Sequence, residues 1–149
     1  MVMKLKSFYY DNFQPKRLKG DLVELCADLV VNLFTDVGYF VVILKAGFRW
    51  NGASVPWIFR WFLPNWSKKD DGFNVLSAFH DAAFASYGFN GLLNFEQCND
   101  LYRGGLREIG FGRFKASSAC FSVNTFAKNH FGQDENNIRH LCQCERISG

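Results

Sequence analysis

The spacing of hydrophobic residues along this 149-residue chain changes at about residue 73. Before that point, short apolar runs are continuous or recur every second residue, a pattern typical of strands. After it, apolar residues recur every third or fourth position, as on one face of a helix. The pattern predicts an α+β fold in which a small N-terminal antiparallel β-sheet packs on about three C-terminal α-helices and a short aromatic helix.

Three segments of the N-terminal third have the composition of strands. Residues 5–10 form the first, and a basic loop at 15–20 follows it. Residues 21–33 alternate imperfectly, and their valines favour a strand over a helix. The segment GYFVVIL at 38–44 is β-branched and aromatic and is the clearest strand. We expect a single domain with mainly strands at 1–50, mainly helices at 54–132 and a polar tail at 133–149.

The helices are predicted from their caps and apolar stripes. A short aromatic helix at 55–63 is capped by Ser54, with Pro56 in its first turn, and a polar surface loop at 65–72 follows it. The next helix begins at about residue 73 and carries one apolar stripe: Leu76, Phe79, His80, Ala83, Phe84 and Tyr87. Asn94 and Gln97 form a capping box for a helix that reaches about residue 109. A third helix runs from about 113 to 130.

Composition limits the classes of partner. Seventeen basic against 14 acidic residues give a net charge of +3, a bias too small to predict nucleic-acid binding. Aromatic residues make up 17 % of the chain, an unusually high share that can fill a core and also supply surface rings. Some of the rings are therefore expected on a surface that meets a partner chain or, peripherally, a lipid. The densest group is Trp50, Trp57, Phe59, Trp61, Phe62 and Trp66, about half of which we assign to core packing.

The sequence favours synthesis in the cytoplasm. No window reaches 18 apolar residues, so no transmembrane segment is predicted, and the first residues lack the apolar region of a signal peptide. Five cysteines without a framework spacing are expected to be reduced and mostly buried.

His80 and Asp81 form the clearest chemical pair. A carboxylate beside a half-buried imidazole suits a general base, or an oxygen ligand for a divalent cation such as calcium, in which case Asp81 is the ligand. The alternative is a core histidine bonded to a backbone carbonyl, with a solvated aspartate next to it. For a lone His-Asp pair this structural interpretation is the commoner one.

Asp100 is the candidate carboxylate for orienting His80, because it lies 20 residues later on the next helix. The apolar stripe of that helix, however, centres nearly opposite Asp100. Asp100 therefore has a second interpretation, as a solvated residue that pairs with Arg103 or Arg107.

The loop residues Gly47, Asn51, Gly52 and Ser54 are the candidate support for an ion or an oxyanion, because glycines let the backbone approach a ligand closely. A β-to-α connection with a helix cap explains the same residues without a ligand. His140, Cys142 and Cys144 have the side chains of a zinc site, but no second pair of ligands accompanies them.

The segment GFRWNGASVP at 47–56, the A-x-HD helix at Ala78, His80 and Asp81, and Asn99-Asp100 together resemble a family of short phage and prophage proteins of unassigned function. The likeness covers roughly residues 22–132. This sequence departs from the family at Asn51, where aspartate is usual, and at 82–84, where the family continues HD-x-L-Y. The first departure removes a charge that a cation site would use.

The HD helix, followed about 20 residues later by an aspartate, is also similar to bacterial secreted phospholipases A2. There the histidine activates water and the neighbouring aspartate helps to hold calcium. This likeness covers the helical pair alone, and the accompanying disulfides are not evident here.

Two functional hypotheses follow. The first is a phage-type hydrolase of the ester or lipid class, with His80 as general base, Asp81 and the 47–54 loop as support, and Asp100 as orienter. The second is a non-catalytic virion or assembly component that binds other phage virion proteins through an aromatic surface. Both place the protein in the bacterial host cytoplasm, and both are compatible with its being carried in the virion.

Overall fold

The computed structural model describes residues 2–20, 22–51, 70–127, 131–134 and 137–148. The predicted aromatic helix at 55–63, its cap Ser54 and the five rings from Trp57 to Trp66 lie outside these residues. The elements in chain order are β1 (Leu5–Asp11), β2 (Pro15–Arg17), β3 (Val23–Leu25), β4 (Leu29–Thr35), β5 (Gly38–Leu44), β6 (Arg49–Trp50), α1 (Asp71–Ala85), α2 (Tyr87–Gly91), α3 (Phe95–Glu108), α4 (Arg113–Ala127), a 3₁₀ turn (Arg139–Leu141) and β7 (Cys142–Ser148).

The strands form two antiparallel sheets, and the predicted α+β fold is confirmed. The larger sheet has the order β1-β4-β5-β7, and the smaller has the order β2-β3-β6. The strand predicted at 38–44 is confirmed with the same bounds. The single strand expected at 21–33 is wrong, because the chain turns at 26–28 and its two halves enter different sheets. Part of the expected 15–20 loop is β2.

One face of the larger sheet packs on the helices. Side chains of β4 and β5 alternate between a buried and a partly exposed position, as expected for a sheet covered on one side. The buried set belongs to the same hydrophobic core as α1 and α3: Leu29, Val31, Leu33, Phe40, Val42 and Leu44 from the strands, with Val75, Phe79, Ala83, Cys98 and Leu101 from the helices. A second cluster lies between α1, α3 and α4.

Helix α1 is the centre of the molecule. Thirteen of its 15 residues are buried, so it is covered on nearly all sides and not along one stripe as predicted. It begins two residues earlier than the period indicates, because the Asp70 carboxylate accepts a hydrogen bond from the N–H of Gly72 and caps the helix. The predicted end of the surface loop at residue 72 is therefore wrong. Gly105 of α3 allows close contact with α1, since a Cβ there would lie 2.3 Å from a methyl of Leu76.

The segment that contains β7 was expected to be a polar tail. Residues 142–148 instead form the fourth strand of the larger sheet and pair with β5. Cys142 and Cys144 pack against the core, and the guanidinium of Arg146 donates to the carbonyl of Val37. The larger sheet is thus completed by residues from both halves of the sequence.

Candidate functional site

His80 lies inside the molecule. Its side chain projects from the middle of α1 and is 3 % exposed, between the rings of Phe84 and Tyr102, whose centroids are 4.1 and 4.8 Å from that of the imidazole. Its Nε2 is 3.1 Å from Oδ1 of Asn99 on α3. Because an amide oxygen can only accept, Nε2–H is the donor. The site therefore consists of a buried hydrogen bond between α1 and α3.

Burial lowers the pKa of His80 to about 4, and the hydrogen bond to Asn99 opposes this shift in part. Removing the imidazolium from water disfavours the charged form. The imidazole is therefore neutral at pH 7. A neutral imidazole has the protonation state of a general base, but a substrate proton must also come within about 3 Å of it. The aromatic rings and the low exposure leave no such approach among the described residues.

Asp100 does not lie at His80. One oxygen of its carboxylate accepts from the backbone N–H of Met3 at 2.9 Å, and the other accepts from the guanidinium of Arg103 at 3.1 Å. The ion pair with Arg103 corresponds to the alternative interpretation, but the expected solvation is wrong, because the N-terminal segment covers the carboxylate and leaves it 11 % exposed. Consecutive helical residues point about 100° apart, and here Asn99 faces α1 while Asp100 faces the N-terminal segment.

Asn99 is the partner that the sequence analysis missed. A signal was available, because Asn99, Tyr102 and Leu106 follow the i, i+3, i+7 spacing of a buried face and all three are buried. The backbone carbonyl of Asn99 also accepts a weak hydrogen bond from the Cys120 thiol of α4 at 3.7 Å. Asn99 thus connects three helices.

Asp81 lies at the flank of α1 and is partly exposed. The pKa of Tyr102 is raised by burial first, then by the Cys120 thiol and by the negative charge of Asp81. Asp81 is therefore near the ring that covers His80. Among the described residues, no group of three or more histidine, cysteine or acidic side chains is arranged to hold a metal ion.

The candidate loop residues have structural contacts. Gly47 adopts a φ of +95°, and its N–H donates to the carbonyl of Leu25 at 2.8 Å, so this donor is already used. Asn51 is exposed, while Gly52 and Ser54 lie outside the described residues. Trp50, assigned to the aromatic group, is fully buried, and its indole N–H donates to Ser77 of α1 at 3.1 Å. The described part of the loop therefore anchors β6 to the core.

The cysteines are free thiols. Cys98 and Cys120 are buried, Cys142 and Cys144 are partly buried and Cys26 is exposed. Burial raises the pKa of Cys142 and Cys144 to about 12. Both are therefore protonated at neutral pH, and binding of zinc would have to release these protons. His140, the third candidate zinc ligand, is exposed.

No protein-family model, curated protein or solved structure matches this chain. Within the described residues, every helix is too short or too polar to span a bilayer.

Proposed function

We propose that this protein is a non-catalytic bacteriophage component that is made in the host cytoplasm, is carried in the virion and binds a partner protein chain there. The phage assignment depends on the motif resemblance at 47–56, 78–81 and 99–100. The binding role depends on one structural observation, an aromatic cluster on the sheet face opposite the helices.

This outer face of the larger sheet carries three neighbouring rings. Phe34 of β4 stacks on Tyr39 of β5, with ring centroids 4.5 Å apart, and meets Tyr9 of β1 edge-on at 6.0 Å. Tyr9 is 63 % exposed and Phe34 is 37 % exposed. The hydroxyl of Tyr39 donates to Asn32 at 2.6 Å, which fixes that ring. Ordered aromatic side chains lose little entropy on binding and are enriched at protein interfaces.

The outer face also carries three further apolar residues. Val41 is the next outward-facing residue after Tyr39 on β5, and the register pairs Val30 with Ile43 further along the same face. All three are partly exposed. A sheet with one solvated face normally alternates apolar and polar residues. Strand β5 instead has bulky side chains on both faces, as a strand covered on both sides would have. This composition supports a partner on the outer face.

Charge favours a protein over an anionic membrane surface as that partner. Asp11 of β1 and Glu145 of β7 lie on the outer face by their register with Val30 and Val41, and both are acidic. Membrane-surface segments are usually rich in lysine and arginine, because bilayers carry negative charge. The acidic residues at the rim of the rings would weaken contact with such lipids.

The hydrolase hypothesis has weaker support. It requires substrate access to His80, whose only hydrogen-bond partner in the described structure is Asn99. Its direct test compares wild type with His80→Gln on ester substrates of several chain lengths. Hydrolysis by the wild type that is lost in a folded His80→Gln protein would restore the hydrolase hypothesis.

The experiment for the proposed function is mass spectrometry of purified particles of the phage that encodes this chain. We expect the protein in washed particles at a fixed ratio to the structural proteins. If the protein is confined to the host lysate as a monomer, the virion role is wrong. Flotation of the free protein with liposomes, in place of particle association, would also contradict the proposal.

A further inference from the structure

A second surface, distinct from the outer sheet face, combines a concave shape with excess positive charge. A cleft of about 430 Å³ lies between the N-terminal segment, one face of α3 and the start of α4. Its volume is within the range of small-molecule sites. Its described lining includes four basic side chains, Lys4, Arg103, Arg107 and Arg113, and two acidic ones, Asp100 and Glu108.

One arginine in the cleft is held in place by the protein. The Asp100 carboxylate accepts from Arg103 and also from the N–H of Met3, so it connects α3 to the N-terminal segment. Asp100 is 11 % exposed in its side chain, whereas Arg103 is 41 % exposed. The ion pair thus fixes one side of the guanidinium and leaves the other side in the cleft. A pre-positioned guanidinium loses less entropy when it binds an anion.

The other basic residues lack such a partner in the described part of the chain. Arg107 and Arg113 are exposed and form no ion pair there, and the same holds for Lys4. Arg107 also follows Arg103 by four residues, a spacing at which like charges destabilise a helix. Arg113 is the first residue of α4, where the helix dipole disfavours a cation, and the first turn has no acidic residue.

These costs are offset if an anion lies between the arginines. We propose that the cleft binds a small phosphate-bearing molecule, with its phosphate held by Arg107 and Arg113 and by the free side of Arg103. Guanidinium groups match the geometry of phosphate oxygens and donate two parallel hydrogen bonds to them. Val2 and Leu5, which line the same cleft, provide an apolar wall for the organic part of the ligand.

Isothermal titration calorimetry of the full chain with inorganic pyrophosphate in low-salt buffer tests this site. We expect saturable one-to-one binding by the wild type. Replacing both of these arginines, Arg107→Gln with Arg113→Gln, should weaken binding by about tenfold or more, because two of the three guanidinium groups that hold the phosphate are lost. The substituted side chains are exposed, so circular dichroism should show an unchanged fold.

Two further variants separate a specific site from general charge attraction. Lys16→Gln with Lys19→Gln removes the same charge from exposed positions that do not line the cleft, and should change the affinity by less than about twofold. Glu108→Gln removes a repelling carboxylate from the cleft and should strengthen binding. Equal weakening by both double variants, or no heat of binding in the wild type, would overturn the proposal.

Discussion

The imidazole of His80 is held between two aromatic rings and donates to an amide oxygen, and its pKa is lowered to about 4. In the unfolded chain the same group titrates near its ordinary value of 6.5. Between these two values the unfolded state binds a proton that the folded state does not. The contribution of His80 to the free energy of unfolding therefore decreases as the pH falls through this range.

The first prediction concerns this pH dependence. The stability of the wild type should fall as pH decreases from 7 to 4.5, and His80 should account for about 2 kcal/mol of that loss. His80→Gln retains an amide that can bond with Asn99, and over the same pH range it should lose about 2 kcal/mol less stability than the wild type. Urea unfolding at several pH values measures the free energy of unfolding of both proteins. If the two free energies change in parallel with pH, His80 is not buried as a neutral imidazole.

The second prediction concerns its partner. Asn99→Asp places a carboxylate 3.1 Å from Nε2, and the negative charge should raise the pKa of His80 well above 4. Proton NMR of the imidazole C–H resonances follows the titration directly. Asn90→Asp is the control, because Asn90 is exposed on α2 and should leave the pKa of His80 unchanged. A titration near pH 4 in the Asn99→Asp protein would show that Asn99 does not contact the ring.

At the scale of elements, α2 is unusual in its handedness. Its five residues, Tyr87 to Gly91, all have positive φ, and the three central ones have the dihedral angles of a left-handed helix. Such conformations are costly for residues with a Cβ. The N–H of Phe89 donates to the Ser86 hydroxyl, and the N–H of Leu93 donates to the carbonyl of Gly88. These hydrogen bonds hold the turn that reverses the chain between α1 and α3.

The third prediction compares two glycines of this turn. A Cβ on Gly88 would lie 1.6 Å from the carbonyl oxygen of Leu93, so Gly88→Ala should reduce the free energy of unfolding by about 3 kcal/mol or more. A Cβ on Gly91 would meet nothing within 4 Å, and Gly91→Ala should cost about 1 kcal/mol through its positive φ alone. Denaturant unfolding measures both changes. Equal losses would mean that the close contact at Gly88 is absent.

Elements with a strong local signal could be predicted from the sequence, and those defined by distant pairing could not. The continuous apolar run of β5 and the capping box of α3 are local features and were predicted correctly. In β7, Cys142 and Cys144 alternate with polar residues, a pattern too weak to distinguish a strand from a loop. The strand forms because it pairs with the edge of β5, and this pairing cannot be seen in the sequence. The three-residue strands β2 and β3 also depend on pairing that is invisible in one sequence.

The candidate site follows the same rule. The burial of His80 was implied by its place on the apolar stripe of α1, and the neutral core histidine was one of the two interpretations. Its partner was expected to be a backbone carbonyl or Asp100, but it is the Asn99 side chain. Whether Asn99 or Asp100 faces His80 depends on how α3 is rotated about its axis relative to α1. A helical wheel describes one helix alone and cannot give this rotation.

At the scale of the whole molecule, the fold separates two kinds of aromatic residue. Helix α1 and its neighbours enclose the rings of the core, including Trp50 and Phe79, while Tyr9, Phe34 and Tyr39 are grouped on the outer sheet face. The polar chemistry of His80 lies on the enclosed side. The proposed function assigns the outer face to a partner protein in the particle.

The fourth prediction tests this claim by particle association of Tyr9→Ser with Phe34→Ser. Both side chains are exposed, so the double variant should fold, with a stability loss of about 1–2 kcal/mol from the lost ring contacts. Interface rings often contribute 2 kcal/mol or more each, so its amount in purified particles should fall by about tenfold or more. Leu92→Ser with Phe114→Ser, at exposed apolar positions outside the sheet, is the matched control.

The decisive measurement is the ratio of this protein to a structural protein in purified particles, for the wild type and for both double variants expressed at equal levels. We expect equal ratios for the wild type and the Leu92/Phe114 variant, and a ratio lower by about tenfold or more for the Tyr9/Phe34 variant. Equal incorporation of all three proteins, or incorporation of none, would contradict the proposed function.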